Sequence, residues 1–204
     1  MNDRSQRDMK DWHLKKHYAQ NVHLRGKGRN RREEVKMDRK EITKFLSDLL
    51  VNDRFQGIGK YWAREVSIDY GTKDVKRVDF MQFVPSGVVS VSEIEKGRFI
   101  SYEVKSCLAD YNSGYGKNFL TEQNYLVMPM ELYKKVVKEI PHEIGAICPI
   151  PEEKSITEEF DDPTPLDAEG VRWRMRVVLS SMPIGRKRSM VELLFCMLRS
   201  GKGK

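Results

Sequence analysis

Three charged residues stand in stretches that otherwise read as buried strand: Asp79 within Val78-Asp79-Phe80, and Glu103 and Lys105 on either side of Val104. Residues two apart on a strand project from one face, so Glu103 and Lys105 point together. An acid and an amine among apolar neighbours are unfavourable unless something compensates them. Two carboxylates from adjacent strands make a hard-oxygen site suited to Mg2+, which keeps several waters and takes few protein ligands. A lysine beside them can orient or deprotonate a water polarised by the cation, and can stabilise charge developing on a phosphate. Those are the parts that metal-assisted phosphodiester hydrolysis requires. The bland alternative is a buried Glu103–Lys105 ion pair with Asp79 capping a turn. The spacing alone, Asp, 23 residues, then Glu-x-Lys, does not separate the two.

The elements that must position these residues are legible in the hydrophobic pattern. Ile42, Phe45, Leu46, Leu49 and Leu50 recur at helical spacing, which predicts an amphipathic helix from Asp38 to about Asn52. Tyr61 to Asp69 alternates as a strand, with Trp62, Val66 and Ile68 assigned to one face and Ala63, Glu65, Ser67 and Asp69 to the other. Val75 to Val84 and Arg98 to Lys105 supply two more strands. A Gly- and Asn-rich loop, Tyr111 to Asn118, leads to a short strand at Asn124–Met128. A helix from about Met130 to Glu139 and a strand at Ile144–Cys148 complete a strand-helix-strand unit, which calls for a parallel pair. The expected class is α/β with a central mixed sheet, in the order αβββ and then βαβ.

The rest of the chain divides by charge. Of 37 Lys and Arg against 30 Asp and Glu, residues 1–40 hold thirteen bases and six acids, the whole net charge of +7. The stretch Arg25 to Arg32 has no apolar residue and cannot bury a face, so 1–37 reads as a basic N-terminal arm. Such an imbalance favours a polyanionic partner, nucleic acid before membrane. No apolar run approaches the roughly 18 residues of a membrane span, and Met1 to Arg4 is polar, so a cytoplasmic protein without a signal peptide is expected. Cys107, Cys148 and Cys196 are too far apart for a zinc knuckle and read as reduced structural thiols. His13, His17 and His23 suggest zinc, since His13 and His17 are four apart, but no Cys or fourth ligand lies nearby. After the core at 38–150, residues 151–170 carry eight acids, one lysine and three prolines, and are expected to be a mobile loop. The segment 171–204 is basic and ends in a helix opened by Ser189-Met190-Val191-Glu192, a capping-box pattern.

Here the residues carry a resemblance. Arg77-Val78-Asp79-Phe80 followed by Tyr102-Glu103-Val104-Lys105-Ser106 resembles the PD-(D/E)xK nuclease superfamily, whose restriction-endonuclease-like core is αβββαβ. Within it the chain is similar to the MmcB-like, DNA-repair-associated branch. In that branch an Arg-x-Asp strand precedes Glu-Ile/Val-Lys-Ser, an Asp-aromatic pair and a strand ending in Val-Pro. This sequence supplies Glu103-Val104-Lys105-Ser106, Asp110-Tyr111 and Tyr125-Leu126-Val127-Met128-Pro129 in that order. The similarity spans about 41 to 150, and its most specific part is 98 to 129. Val78 stands where the superfamily usually has proline.

The resemblance implies that Asp79 and Glu103 bind Mg2+, with Mn2+ as substitute, and that Lys105 serves catalysis. The main-chain carbonyl of Val104 is expected as a further oxygen ligand. The activity implied is a Mg2+-dependent DNA endonuclease or nickase of DNA-repair or mobile-element type; the competing class is a non-catalytic nucleic-acid-binding module on the same fold. Glu41 lies where the superfamily often has another acid, or is simply a first-turn acid favoured by the helix dipole. Glu65, on the polar side of the first strand, is a candidate for a place behind the primary carboxylates. Asp110, Ser106 and Asn118 either touch substrate or shape the turn, while Lys117 and Tyr115 are candidates for a phosphate and a base. Arg29, Arg31 and Arg32 of the arm, with Arg172, Arg174, Arg186, Lys187 and Arg188, are the further DNA-contact candidates. The alternation Arg172-Trp173-Arg174-Met175-Arg176 equally suits a sheet edge protected by charge. DNA is the expected partner, and a homodimer is left open.

Overall fold

Why an α-helix begins at Arg39 is settled by its two flanking acids. In the computed structural model, which describes residues 37–87 and 90–200, Asp38 Oδ1 accepts the Glu41 N–H at 2.8 Å. The Glu41 carboxylate accepts the Asp38 N–H at 2.8 Å in return, so two otherwise unpaired donors are satisfied reciprocally. The helix, α1 (Arg39–Arg54), runs two residues past the expected end and buries Leu46 and Leu50 completely. Burying each of these leucines contributes about 1.5–3 kcal/mol. The elements that follow are β1 (Tyr61–Ile68), β2 (Lys76–Val84), α2 (Val91–Glu95), β3 (Arg98–Val104), α3 (Leu108–Asn112) and β4 (Gln123–Val127). Then come α4 (Met130–Val136), β5 (Ile144–Pro151), α5 (Ile156–Asp161), β6 (Trp173–Leu179) and α6 (Met190–Ser200).

The six strands lie in sequence order in one sheet. β1–β2–β3 are antiparallel, β3–β4–β5 parallel, and β6 is antiparallel to β5, so the described chain is a mixed α/β fold with six helices. The parallel β4–β5 pair is the one expected from the strand-helix-strand spacing. On one face of the sheet, α1 packs Leu46 and Leu50 with Phe80, Tyr102, Val104, Val127 and Ile147. The opposite face carries two separate clusters. One joins α6 to Val66, Ile68, Val78 and Phe99; the other joins α4 to Leu126, Ala146, Cys148 and Ile150. Since Tyr102 and Val104 face α1, strand alternation turns Ser101, Glu103 and Lys105 to the other side, into the gap between those two clusters.

Both edge strands are blocked by charged side chains. Arg199 of α6 donates to the Ser67 carbonyl of β1 at 2.9 Å, and Asp53 of α1 accepts the Met175 N–H of β6 at 3.0 Å. No helix among the described residues is long and apolar enough to cross a membrane. The basic arm, with Arg29, Arg31, Arg32 and the histidines His13, His17 and His23, lies outside the described residues.

Two expectations need correction. The face assignment in β1 fails, because Ala63 joins Val66 and Ile68 in the α6 cluster while Trp62 packs on the α1 side. The alternation changes phase at Glu65, whose φ of 52° is left-handed. The same phase change occurs in β2, where Val78 and then Met81 and Phe83 face α6 but Phe80 faces α1. A period-two reading cannot anticipate a backbone twist shared by two paired strands. The second correction concerns 151–170, which holds the capped helix α5 rather than only loop. Its Glu159 is 1% exposed and fully partnered: the Thr164 N–H and hydroxyl donate to it at 2.8 and 2.7 Å, and Lys154 pairs with it at 3.2 Å. A carboxylate saturated this way folds an acidic segment back onto the core.

Candidate active site

The site is built at the point where β2 and β3 part. Their ladder pairs Val84 with Arg98 through to Phe80 with Tyr102 and stops there, one step before Asp79 would face Glu103. Beyond that point the Val104 N–H donates at 2.8 Å to the Asp79 carboxylate instead of to the β2 main chain. A side chain has thus replaced a backbone acceptor, and the two strands open into a fork with Asp79 in its crotch. An extended residue directs its N–H and C=O toward the same neighbouring strand. The Val104 carbonyl therefore emerges on the β2 side of β3.

On β1, Glu65 falls opposite Asp79, bracketed by the pairs Arg64–Phe80 and Val66–Val78. Its left-handed backbone is unusual for a non-glycine residue in a strand, and such strain concentrates where the local shape is needed. The Glu65 side chain is well exposed and pairs with Arg77 at 3.0 Å, away from the fork. It shapes the site through its backbone.

Glu103 and Lys105 are each 3% exposed. Burial, with the adjacent Asp79 carboxylate adding to it, pushes the Glu103 carboxyl up to about 9 against the opposing pull of Lys105. Glu103 is accordingly protonated at neutral pH. Its Oε1 is buried without any hydrogen-bond partner. No ion pair within 4.0 Å joins Glu103 to Lys105 among the described residues; Lys105 Nζ donates to the Tyr115 carbonyl at 2.5 Å. The bland expectation of a buried Glu–Lys ion pair is therefore not what these residues form.

The segment after β3 supplies the remaining contacts. Asp110 accepts from the Ser106 N–H at 3.2 Å and from Arg39 at 2.8 Å, so it shapes the turn and ties it to α1. Buried Ser106 also points its hydroxyl at Asp110, at 3.4 Å. Asn118 donates to the Arg77 carbonyl at 3.2 Å. Lys117 holds its ammonium 3.6 Å from the centre of the Tyr111 ring, and burial and the nearby Lys105 charge push it below the ordinary lysine range. That places a second cation at the same site. Glu41 is engaged in the α1 capping box.

Most of the other cationic candidates have partners of their own. Arg172 and Arg174 both pair with Glu152, at 3.2 and 2.6 Å, which suits the charged-edge reading of β6. Arg186 pairs with Glu122 at 3.0 Å, and Arg188 with Asp69 at 2.7 Å. Lys187 donates its main-chain N–H to the Leu120 carbonyl at 3.1 Å. A cavity of about 250 Å3 past the end of β3 is lined by Ser106, Cys107 and Met130, but not by Asp79, Glu103 or Lys105.

Sequence reasoning missed Gly116. With φ of +73°, it brings its backbone so close that a Cβ there would lie 2.6 Å from Glu103 Oε2 and 3.3 Å from Lys105 Nζ. The only signal was the glycine pair in Ser113-Gly114-Tyr115-Gly116, which announces a loop and not what the loop touches.

Do these residues fit a divalent cation? The donor set is hard oxygen: two carboxyl groups and a strand carbonyl, with Glu103 Oε1 lacking any partner. Among the described residues no group of three or more His, Cys, Asp or Glu converges on one point, so a cation here would rely on two carboxylates and the main chain. That is a Mg2+-type donor set and a poor one for zinc.

No protein-family model matches the chain, and no curated protein matches it. Among solved structures it is similar to the SPO1766 protein of unknown function from Silicibacter pomeroyi, at 13% identity and a TM-score of 0.47, over 78% of this chain and 83% of that one. So remote a likeness carries no argument about the fold or the site.

Proposed function

We propose that the chain is a Mg2+-dependent DNA endonuclease or nickase on a restriction-endonuclease-like αβββαβ core, formed by α1, β1–β3, α4 and the parallel strands of the sheet. The observation that carries this reading is the fork. Asp79 is held in it by the Val104 N–H, with Glu103 and Lys105 in the next strand facing the same gap. Asp79 is half-buried and partnered, but a purely structural sheet gains nothing from the buried Glu103 carboxyl and Lys105 amine beside it, each unfavourable in a buried strand. Asp79, Glu103 and the Val104 carbonyl would hold the cation. Bound there, it would polarise the scissile phosphate and lower the barrier to attack by water.

The chain's own residues do the rest. Glu103, a neutral acid in the metal-free protein, would have to give up its proton to serve as a ligand. Lys105 donates hydrogen bonds to the phosphate oxygen on which charge develops, and Lys117 adds positive potential beside it. The basic arm supplies affinity through phosphate neutralisation, which does not depend on base sequence. The burial of Glu103 and Lys105 is the observation that favours the competing reading, a nucleic-acid-binding module without catalysis.

Calorimetric titration with Mn2+ tests the metal assignment apart from activity. Binding at pH 7 should release about one proton per site, seen as a dependence of the heat on buffer ionisation enthalpy, because Glu103 starts protonated. Asp79→Ala and Glu103→Ala should each abolish binding. Equal binding by wild type and both variants would contradict the assignment.

A further inference from the structure

The segment from Tyr111 to Leu120 joins the two clusters on the α6 side of the sheet: Tyr111 belongs to the α4 cluster and Leu120 to the α6 cluster. To connect them the chain must cross the gap in which Glu103 and Lys105 stand. It crosses in contact with both, through the Tyr115 carbonyl on Lys105 at 2.5 Å and the Gly116 backbone against Glu103. This crossing is what leaves the two side chains 3% exposed. Its own attachments are polar and local: Ser113 donates to the Ala109 and Asp110 carbonyls at 3.0 and 2.7 Å, and Lys117 lies 3.6 Å from the Tyr111 ring centre. The Tyr115 side chain is 81% exposed, Gly114 has open space where a Cβ would stand, and Asn118 is tethered by one bond at 3.2 Å.

We propose that residues 113–118 are a lid, in which the Tyr115 carbonyl occupies the place of a phosphodiester oxygen on Lys105, and that substrate phosphate displaces it. The inference rests on the reading of Lys105 as the residue facing the scissile phosphate. An ammonium accepts either oxygen as partner, but a carbonyl offers a partial charge and a phosphodiester a full one. Both bonds have the ionised ammonium as donor, but only the phosphodiester adds the attraction of a full opposite charge in a water-poor site, so the exchange runs toward substrate. The site is thereby kept dry and its amine satisfied until a polyanion arrives. The closed state favours glycine at 116, because a Cβ there would have to push the buried Glu103 carboxyl out of its place. Opening also frees Lys117, the next residue, to follow the phosphate.

Amine labelling reads the lid without any cleavage assay. Reductive methylation followed by peptide mapping gives the rate at Lys105 against exposed Lys60. In the wild type Lys105 should label far more slowly than Lys60, and Gly116→Ala should speed Lys105 labelling by roughly tenfold or more by favouring the open state. Gly114→Ala is the control: its φ of +75° is equally strained, but its Cβ meets nothing within 4 Å, so Lys105 should stay protected. A second measurement needs no variant. In urea well below the melting transition, wild-type Lys105 should label through local opening, before the core unfolds. Equal protection in Gly116→Ala and wild type, equal acceleration by both alanines, or labelling only upon global unfolding would each overturn the lid. Short duplex DNA in Ca2+ should raise amide exchange across 113–118, and no change there would overturn displacement by phosphate. Failure of the nuclease reading is separable, since it would show as absent cleavage in Mg2+ with the labelling pattern intact.

Discussion

Lys105→Ala is expected to lower the single-turnover rate of DNA cleavage by roughly 100-fold or more, the scale of losing a group that stabilises charge in the transition state. DNA affinity measured in Ca2+ should fall far less, since one phosphate contact among several is a small share of the total. Lys105→Arg should not restore the rate. A guanidinium is larger and planar and presents a fixed fork of donors, so it does not reproduce the compact ammonium's contact with one phosphate oxygen. The melting temperature separates this account from a structural role. Because Glu103 is neutral in the folded protein, removing the lysine strands no buried charge, and the variant should melt close to wild type. A lysine that merely completed an ion pair predicts a large loss of stability instead, with activity following the unfolded fraction.

The second large effect is on stability and has a sign that few carboxylate substitutions share. Glu103 is pushed up to about 9 from 4.5, so between those values the folded protein holds a proton that the unfolded chain has released. The corresponding stability is complete below pH 4.5 and is lost progressively as pH rises to 9. Glu103→Gln fixes the neutral form and escapes that loss. It should match wild type near pH 4.5 and exceed it increasingly above, by about 3 kcal/mol at neutral pH at 1.36 kcal/mol per pKa unit. For a chain of this size that is a rise in Tm on the order of 5–10 °C. Thermal melts of both proteins across that pH range are the check. A variant less stable than wild type at pH 7 would mean that Glu103 is an ionised, compensated structural acid.

Much of this site is legible in the sequence because strand alternation is a local property. Val104 flanked by Glu103 and Lys105 is enough to place both on one face, and the short strand, helix and strand at 123–151 are enough to require a parallel pair. What alternation cannot reveal is where it breaks. The twist at Glu65 and Asp79 reassigns Trp62 and Ala63 between faces, and it arises from pairing between strands rather than from either strand's residues. The same limit explains Asp110 and Glu41. Both are acids that the sequence offers as site candidates, yet backbone N–H groups, at Ser106 and Asp38, claim them first. The lid was hidden for a different reason: its decisive group is a main-chain carbonyl, at Tyr115, and every residue has one. Residues 151–170 misled by composition, since nothing in eight acids signals that Glu159 alone is buried and saturated.

Incubation of the wild-type protein with supercoiled and linear DNA, in Mg2+, in Mn2+ and in EDTA, tests the central claim most directly. Nicked or linear product is expected in Mg2+ and Mn2+, none in EDTA, and none in any metal with a folded Asp79→Ala protein. DNA left intact in both metals by a protein that binds it, or cleavage that persists in Asp79→Ala, would contradict that claim.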